Sequence, residues 1–319
     1  MTFAQRPPFD WQLRTREQAL GARTAVMGVL NVTPDSFSDG GDFLHTEAAV
    51  QQGIRLLDER ADVLDIGGES TRPGSQPLSP QKEQDRILPV IAAILRERPQ
   101  SILSVDTYHA ATARAAIAAG AEIVNDVSGL AWDAELADAC AELRCGVILM
   151  HTRGRPAEWR TLPRLAANEV LPVVKDGLEQ ALARAVAAGI DRRRIVLDPG
   201  FGFGKVHEEN YPLLAHLEEL LSLGQPLLAG LSRKSFLGHA IAARTGVAAV
   251  PTEQRGNATV AATTAAILAG ASLVRVHEVR PGVEAAAIAD AILRQDQRAK
   301  GPDDFRDAAS PAPASESPL

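Results

Sequence analysis

The chain has 319 residues, and its 33 Lys and Arg against 40 Asp and Glu give a formal charge of −7 at pH 7. This acidic balance argues against a general nucleic-acid binder or a binder of anionic membranes, because both classes depend on a basic surface. Two cysteines, Cys140 and Cys145, are too few for a disulfide framework, and no run approaches the ~20 apolar residues of a membrane helix, so we expect a cytoplasmic protein.

Short apolar runs bounded by turn residues recur along the chain and predict β-strands. They lie at 24–30, 61–66, 102–105, 122–124, 146–150, 194–197, 226–229 and 272–276. The runs are almost continuously apolar, which is typical of strands that are covered on both faces of a parallel sheet.

Segments with helical spacing lie between these runs. Thr46 is a predicted N-cap for a helix whose apolar face repeats at Val50, Ile54 and Leu57. Ser79-Pro80 predicts the start of the next helix, because a capping serine is followed by the proline that a first turn tolerates. Four alanine-rich segments have similar spacing, near 110–119, 164–188, 258–269 and 283–297.

Eight βα units within one uniform stretch of chain predict a single (β/α)8 TIM barrel, a fold of about 250 residues, rather than two doubly wound domains. We assign residues 24–299 to the barrel and expect residues 1–23, a short N-terminal extension, to cover its bottom. Residues 300–319 are rich in Pro, Ala and Ser without apolar periodicity, which predicts a disordered C-terminal tail.

Polar or glycine-rich residues follow nearly every predicted strand. Asp106 follows the third run, Asn125 the fourth and Asp198 the sixth, and Lys234 lies after the seventh. Any one of these could be only a helix cap or a turn residue. In a barrel, however, all strand ends converge on one rim, so we expect these side chains to surround one cavity. Their acceptors and donors suit a flat heterocycle that carries N–H groups and ring acceptors.

Asn31, Arg275 and His277 come from the ends of the first and eighth runs, which are neighbours in a closed barrel. The two basic side chains would form charge-assisted hydrogen bonds to a phosphate or pyrophosphate. An amide oxygen such as that of Asn31, together with substrate phosphates, is a usual arrangement for Mg2+. A Mg2+ cofactor bound by Asn31 would fit this arrangement.

Taken in order, the segments at the strand ends resemble those of dihydropteroate synthases, the pterin-binding barrel enzymes of folate synthesis. The resemblance covers about residues 24–297. It rests on GVLNVTPDSFSDGG (28–41), DIGGESTRPG (65–74), SVDT (104–107), VNDVSG (124–129), LMH (149–151), DPGFGFGK (198–205), GLSRKSFLG (230–238) and RVHEV (275–279).

The resemblance implies a transferase that joins 7,8-dihydropterin-6-ylmethyl diphosphate to 4-aminobenzoate and releases pyrophosphate. Binding of the pterin diphosphate is implied for Asp106, Asn125, Met150, Asp198, Lys234, Arg275 and His277. Catalytic roles are implied for Lys234, Arg275, His277, Asp106 and Asp198. Binding of 4-aminobenzoate is implied for Thr71, Arg72, Pro73, Phe203 and Ser235. Asp35 and Phe37 would belong to a mobile first loop, and the chain would form a homodimer through its last helices.

The chain departs from the family pattern beside these positions. Tyr108-His109 stands where the family commonly has Ser and a basic residue, Thr152-Arg153 replaces Met-Gln, and Glu278 replaces Asp. Two alternative functions stay open at this point. The chain could be a pterin-binding domain of a methyltetrahydrofolate methyltransferase, which needs neither a diphosphate site nor an aminobenzoate loop. It could also be a non-catalytic pterin-binding paralogue.

Overall fold

A computed structural model describes residues 3–33, 42–69 and 77–300. Its strands are β1 (Phe9–Gln12), β2 (Glu17–Leu20), β3 (Ala25–Asn31), β4 (Val63–Gly67), β5 (Leu103–Asp106), β6 (Ile123–Asp126), β7 (Gly146–Met150), β8 (Ile195–Asp198), β9 (Leu227–Ala229) and β10 (Ala271–Val276). Strands β3 to β10 are parallel and close into a barrel, in which β10 pairs with both β9 and β3. The predicted (β/α)8 barrel is thereby confirmed.

Several strands continue past the predicted apolar run to include a polar residue. Asn31, Asp106, Asp126 and Asp198 are the last residues of their strands. A residue in a paired strand has its backbone fixed by hydrogen bonds to neighbouring strands. These polar side chains are therefore held by the barrel wall rather than by a loop.

The helices of the described chain surround the barrel. They are α1 (Asp42–Asp58), α2 (Pro80–Glu97), α3 (Ala110–Ala118), α4 (Leu136–Leu143), α5 (Ala167–Ala187), α6 (Asn210–Ala215), α7 (Ser235–Thr245), α8 (Gly256–Leu268) and α9 (Val279–Lys300). The Ser79 side chain accepts a hydrogen bond from the Lys82 amide at 3.4 Å, and Pro80 begins α2, so this predicted helix start is confirmed.

The predicted N-cap at Thr46 is wrong, because α1 begins at Asp42 and Thr46 lies inside the helix. The apolar spacing of Val50, Ile54 and Leu57 identifies the face that packs on the barrel but does not determine where the first turn starts. No proline or glycine stands between 42 and 52 to stop the helix, so it extends one further turn toward the first loop.

The N-terminal extension forms an antiparallel hairpin of β1 and β2, paired from Phe9 with Leu20. Trp11, Leu13 and Leu20 pack with the first residues of several barrel strands in one buried cluster. The Trp11 indole donates to the carbonyl oxygen of Arg194 at 2.8 Å. The hairpin therefore lies over the amino-terminal end of the barrel. The proposed tail lies outside the described residues beyond 300.

Candidate active site

Arg275 connects two other strands at the carboxyl end of the barrel, and Asp65 extends the connection to a third. From β10, its Nε donates to Asp65 Oδ2 on β4 at 2.6 Å, and its Nη2 donates to Asp106 Oδ2 on β5 at 2.7 Å. Asp65 Oδ2 also accepts from Asn125 Nδ2 on β6 at 2.9 Å. The predicted site residues Asp106, Asn125 and Arg275 therefore meet in one hydrogen-bonded network at the barrel mouth.

Burial affects the charges of Asp106 and Arg275 in this network differently. Burial raises the pKa of Asp106 to about 7, and Asp65 and Glu83 act in the same direction against the opposing charge of Arg275. Burial disfavours the Arg275 charge, but the carboxylates of Asp65 and Asp106 raise its pKa overall. Arg275 consequently stays charged. Near neutral pH, Asp106 can accept a hydrogen bond as a carboxylate or donate one as a protonated carboxyl.

Asp65 is a site residue that the sequence reasoning did not single out, although it begins the DIGGES segment. Its side chain is fully buried, and its Oδ1 atom accepts no hydrogen bond within the described part of the chain. A buried acceptor without a partner costs about 1–3 kcal/mol, so such an atom at a barrel mouth is suited to a ligand donor. The strand position alone could not reveal this, because a buried Asp in a strand usually finds a protein partner.

Asp198 and Lys234 form the second part of the site. Asp198 ends β8, and its Oδ1 accepts from the Gly200 amide at 2.7 Å. Burial raises the pKa of Asp198, against the opposing effects of the Gly200 amide and the Lys234 charge. Burial also lowers the pKa of Lys234 to about 8, although the Asp198 carboxylate opposes this shift. A lysine so placed is a donor whose charge is only weakly hydrated.

The glycine-rich loop after β8 has a geometric reason for its sequence. Gly200, Gly202 and Gly204 all have positive φ, between 65° and 79°. A Cβ on Gly200 would lie 2.0 Å from the His151 carbonyl oxygen. Phe203 lies in this loop, and Lys234 Nζ is 4.0 Å from the centre of its ring. Ser235, the first residue of α7, follows Lys234 directly.

Met150, His277 and Asn31 also lie at the carboxyl end. Met150 ends β7 and is buried, in register with Asp198 on β8. His277 follows β10, and its Nδ1 lies 3.0 Å from Ser232 Oγ. Asn31 ends β3 opposite Gly67 of β4 and is partly exposed. Because β10 pairs with β3, His277 and Asn31 occupy adjacent strand ends, as the sequence predicts.

Five predicted residues cannot be placed. Asp35, Phe37, Thr71, Arg72 and Pro73 lie outside the described residues, so their roles stay predictions. Glu69 is the last described residue before Thr71, Arg72 and Pro73, and its Oε1 accepts a hydrogen bond from the Tyr108 hydroxyl at 2.9 Å.

One group of side chains in the described ranges could offer three ligand atoms to a metal ion. The carboxylates of Glu69 and Glu83 and a ring nitrogen of His109 lie within 4.8 Å of one another. His109 Nδ1 is already 3.0 Å from Glu83, and this hydrogen bond raises the pKa of His109. The carboxylates already have protein partners, because Thr107 and His109 both bond to Glu83 Oε2 and Tyr108 bonds to Glu69, so we assign no ion to this group.

Comparisons with known proteins agree with this geometry. The family model of pterin binding enzymes matches residues 27–277. The dihydropteroate synthase of Bacillus subtilis is 39% identical over 285 residues, covering 89% of this chain and 94% of that protein. A structure of the Yersinia pestis dihydropteroate synthase with a sulfonamide drug complex is 40% identical, with a TM-score of 0.80 over 90% of this chain and 100% of that one.

The Xanthomonas albilineans dihydropteroate synthase, solved with 4-aminobenzoic acid, is 45% identical, with a TM-score of 0.78 over 86% of this chain and 95% of that one. These relatives match along nearly their whole length, and the family model spans every described strand-end residue of the site from Asn31 to His277. The chain therefore belongs to the dihydropteroate synthase family of pterin-binding enzymes.

Proposed function

We propose that this chain joins 7,8-dihydropterin-6-ylmethyl diphosphate to 4-aminobenzoate, giving 7,8-dihydropteroate and pyrophosphate. The observation that carries the proposal is the network in which Arg275 holds Asp65 and Asp106, with Asn125 attached to Asp65. In this network, hydrogen-bond donors and hydrogen-bond acceptors lie together at the carboxyl end of the barrel. A binding pocket that must satisfy every polar atom of a flat heterocycle needs such a set.

The pterin ring is assigned to the carboxyl end of β5, β6 and β8. Asp106, Asn125 and Asp198 would pair with its N–H groups and ring acceptors, and buried Met150 would pack beneath the ring. The pKa of Asp106, which burial raises to about 7, lets this carboxyl bind either a donor or an acceptor. Lys234, beside Asp198, would donate to the remaining acceptor of the ring system.

In the proposed reaction, the bond from the pterin methylene carbon to the diphosphate oxygen breaks, and a bond forms from that carbon to the amine nitrogen. The departing diphosphate takes the bonding electron pair, and the amine loses one proton. Positive charge develops on the methylene carbon, where the nearby Asp carboxylates would stabilise it. Arg275 and His277 would hold the oxygens of the leaving group. An aromatic amine is uncharged at neutral pH, so the step needs no strong base.

The site also suits a Mg2+ ion, which we propose as cofactor. Asn31 offers a carboxamide oxygen at a strand end, a hard donor of the kind this ion takes. The carboxylates of Asp65 and Asp106 are already bonded to Arg275, so the donor set fits an ion held mainly by the substrate diphosphate and water. When bound, Mg2+ would neutralise charge on the leaving group.

The 4-aminobenzoate is assigned to the side of the pocket formed by Phe203, Ser235 and Lys234. Lys234 Nζ over the Phe203 ring connects this side to the pterin side. Thr71, Arg72 and Pro73 are proposed to complete this subsite, and Asp35 and Phe37 to act from the first loop. These five assignments rest on the family resemblance.

The last helix supports the proposal of a homodimer. Ile288 and Ile292 are exposed by 61% and 37% and lie one turn apart on α9. With Phe3 they line a surface groove of about 550 Å3. An exposed apolar stripe of this kind is typical of an interface. Light scattering should give a dimer for the native chain and a monomer for Ile288→Arg, while Val186→Arg, at an exposed valine on α5, should stay dimeric.

No helix in the described ranges is both long and apolar enough to cross a bilayer. We propose a cytoplasmic location, because Cys140 and Cys145 are both buried free thiols.

A steady-state assay of pyrophosphate release tests the proposed function. Release should require both the pterin diphosphate and 4-aminobenzoate. Methyl transfer to a corrinoid protein without such release would favour a methyltransferase. Tight pterin binding without any turnover would favour a non-catalytic paralogue.

A further inference from the structure

Two neighbouring loops at the carboxyl end of the barrel are fastened to each other. The fifth loop (residues 151–166) follows β7, and the sixth loop (residues 199–206) follows β8 and carries Phe203. The family resemblance gives a role to Phe203 but none to the side chains of the fifth loop, where Thr152-Arg153 departs from the family pattern.

The fifth loop presents Trp159 in a fixed position. The Glu158 amide donates to the Arg155 carbonyl and the Thr161 amide to the Glu158 carbonyl, both at 2.9 Å. The Trp159 indole donates to the Gly154 carbonyl at 3.3 Å. This turn is therefore bonded within itself, and its tryptophan is tied to its own backbone.

Trp159 packs directly against Phe203. The two ring centres are 5.4 Å apart, and the ring planes are nearly perpendicular at 89°. This is a favourable geometry for an aromatic pair, because the positive edge of one ring meets the negative face of the other. With Lys234 Nζ 4.0 Å from its centre, the Phe203 ring is contacted by an indole and by a cation.

Arg153 and Lys205 hold the backbone on either side of this pair. Arg153 Nη1 donates to the Gly204 carbonyl at 3.1 Å, and its Nη2 donates to the Pro163 carbonyl at 2.8 Å. Lys205 Nζ donates to the Phe203 carbonyl at 3.1 Å and lies 2.9 Å from His151 Nδ1. The backbone around Phe203 is thus held by Arg153 of the fifth loop and by Lys205 of its own loop, whereas the Phe203 ring contacts Trp159 and Lys234.

We propose that Trp159 is a positioning residue that sets the affinity for 4-aminobenzoate by fixing the orientation of the Phe203 ring. The proposal rests on the proposed function, in which Phe203 contacts the aminobenzoate ring. Phe203 stands between Gly202 and Gly204, which have no side chains to restrict its ring. Trp159 supplies that restriction. Because the Phe203 ring is already oriented, binding of the ligand costs less conformational entropy.

The test is steady-state kinetics of Trp159→Ala with each substrate varied in turn. We expect KM for 4-aminobenzoate to rise about 3- to 10-fold, the effect of losing one perpendicular aromatic pair. KM for the pterin diphosphate and kcat should change less than about twofold, because the pterin side keeps its contacts. Trp159→Phe should restore most of the affinity, since a smaller ring can still contact Phe203.

Trp132 provides a matched control, because it also contacts the fifth loop, through Arg155, but its ring packs against Tyr108, with ring centres 5.1 Å apart, and not against Phe203. Trp132→Ala should leave KM for 4-aminobenzoate unchanged. In the double variant of Trp159→Ala and Phe203→Ala, the loss should be no larger than in Phe203→Ala alone. The inference would be overturned if the losses of affinity in the two single variants multiplied in the double variant, or if Trp159→Ala raised both KM values equally. The proposed function would still stand, provided that the native enzyme released pyrophosphate. A native chain that released no pyrophosphate would instead overturn the proposed function.

Discussion

Within the described residues, the buried charged groups at the amino-terminal end of the barrel bond to one another or to the backbone, whereas one buried carboxylate oxygen at the carboxyl-terminal end has no partner. Glu122, below β6, accepts from the Thr15 amide at 2.7 Å and from the Thr15 hydroxyl, and it pairs with Arg16. Arg6 and Asp290 form a buried pair at 2.7 Å. At the opposite end, Asp65 keeps an acceptor without a partner in the described chain.

At the carboxyl-terminal end, burial raises the pKa of Asp106 to about 7 and lowers that of Lys234 to about 8. Polar groups at the carboxyl-terminal end are thus arranged for a ligand, whereas those at the amino-terminal end bond to one another. Mutations at the two ends should therefore separate stability from activity.

The largest expected effect is on stability at the bottom. Arg6→Met would leave Asp290 buried without its cation, so the free energy of unfolding should fall by about 3–5 kcal/mol. The kcat/KM of the folded enzyme should stay near that of the native chain. Urea unfolding measures the loss. Arg98→Met is the control, because Arg98 pairs with Asp58 at 3.2 Å on the surface and should cost less than about 1 kcal/mol.

The next largest effect is on activity at the top. Lys234→Ala should lower kcat/KM by about 30- to 1,000-fold, equivalent to about 2–4 kcal/mol, because it removes a preorganised donor beside Asp198. The free energy of unfolding should change much less than the activation free energy, because Lys234 is only partly buried and burial already disfavours its charge. Steady-state kinetics beside urea unfolding checks both, with exposed Lys82→Ala as control. A variant with native kcat/KM would contradict the role assigned to Lys234.

A smaller effect should follow from Asn31→Ala. If Asn31 holds the proposed ion, the Mg2+ concentration for half-maximal rate should rise at least about tenfold, which is the usual effect of changing even a residue that only supports a metal ligand. Binding of a pterin that lacks the diphosphate should be unaltered, which calorimetry can measure. An unchanged Mg2+ dependence would remove Asn31 from the metal site.

The smallest effect concerns His109 on the rim. Its hydrogen bond to Glu83 raises its pKa, so the native state binds the proton more tightly than the unfolded chain. The resulting stability is present below the unfolded pKa of about 6.5 and is lost as pH rises through the raised value. Compared with the native chain, His109→Gln should thus be less stable at about pH 6 and equally stable at about pH 9. Urea unfolding at both pH values checks this, with exposed His216→Gln as control.

Much of the fold could be predicted from local sequence patterns. Near-continuous apolar runs located all eight barrel strands to within about two residues, because strands covered on both faces must be apolar throughout. Ser79-Pro80 located the start of α2, because a cap and a first-turn proline act through neighbouring residues alone. The sequence also assigned Asp106, Asn125, Asp198 and Arg275 to one rim, since every parallel strand of a barrel ends there.

What only the tertiary structure decided are the contacts between distant residues. Arg275 meets Asp65 across 210 positions of the chain because β10 closes the barrel on β3, which in turn pairs with β4. The role of Asp65 and the contact of Trp159 with Phe203 depend on such closure and on loop packing. The hairpin of β1 and β2 likewise owes its place to the apolar barrel end beneath it. A local pattern records which residues are buried, but the partner of each buried group is fixed by strand register and packing.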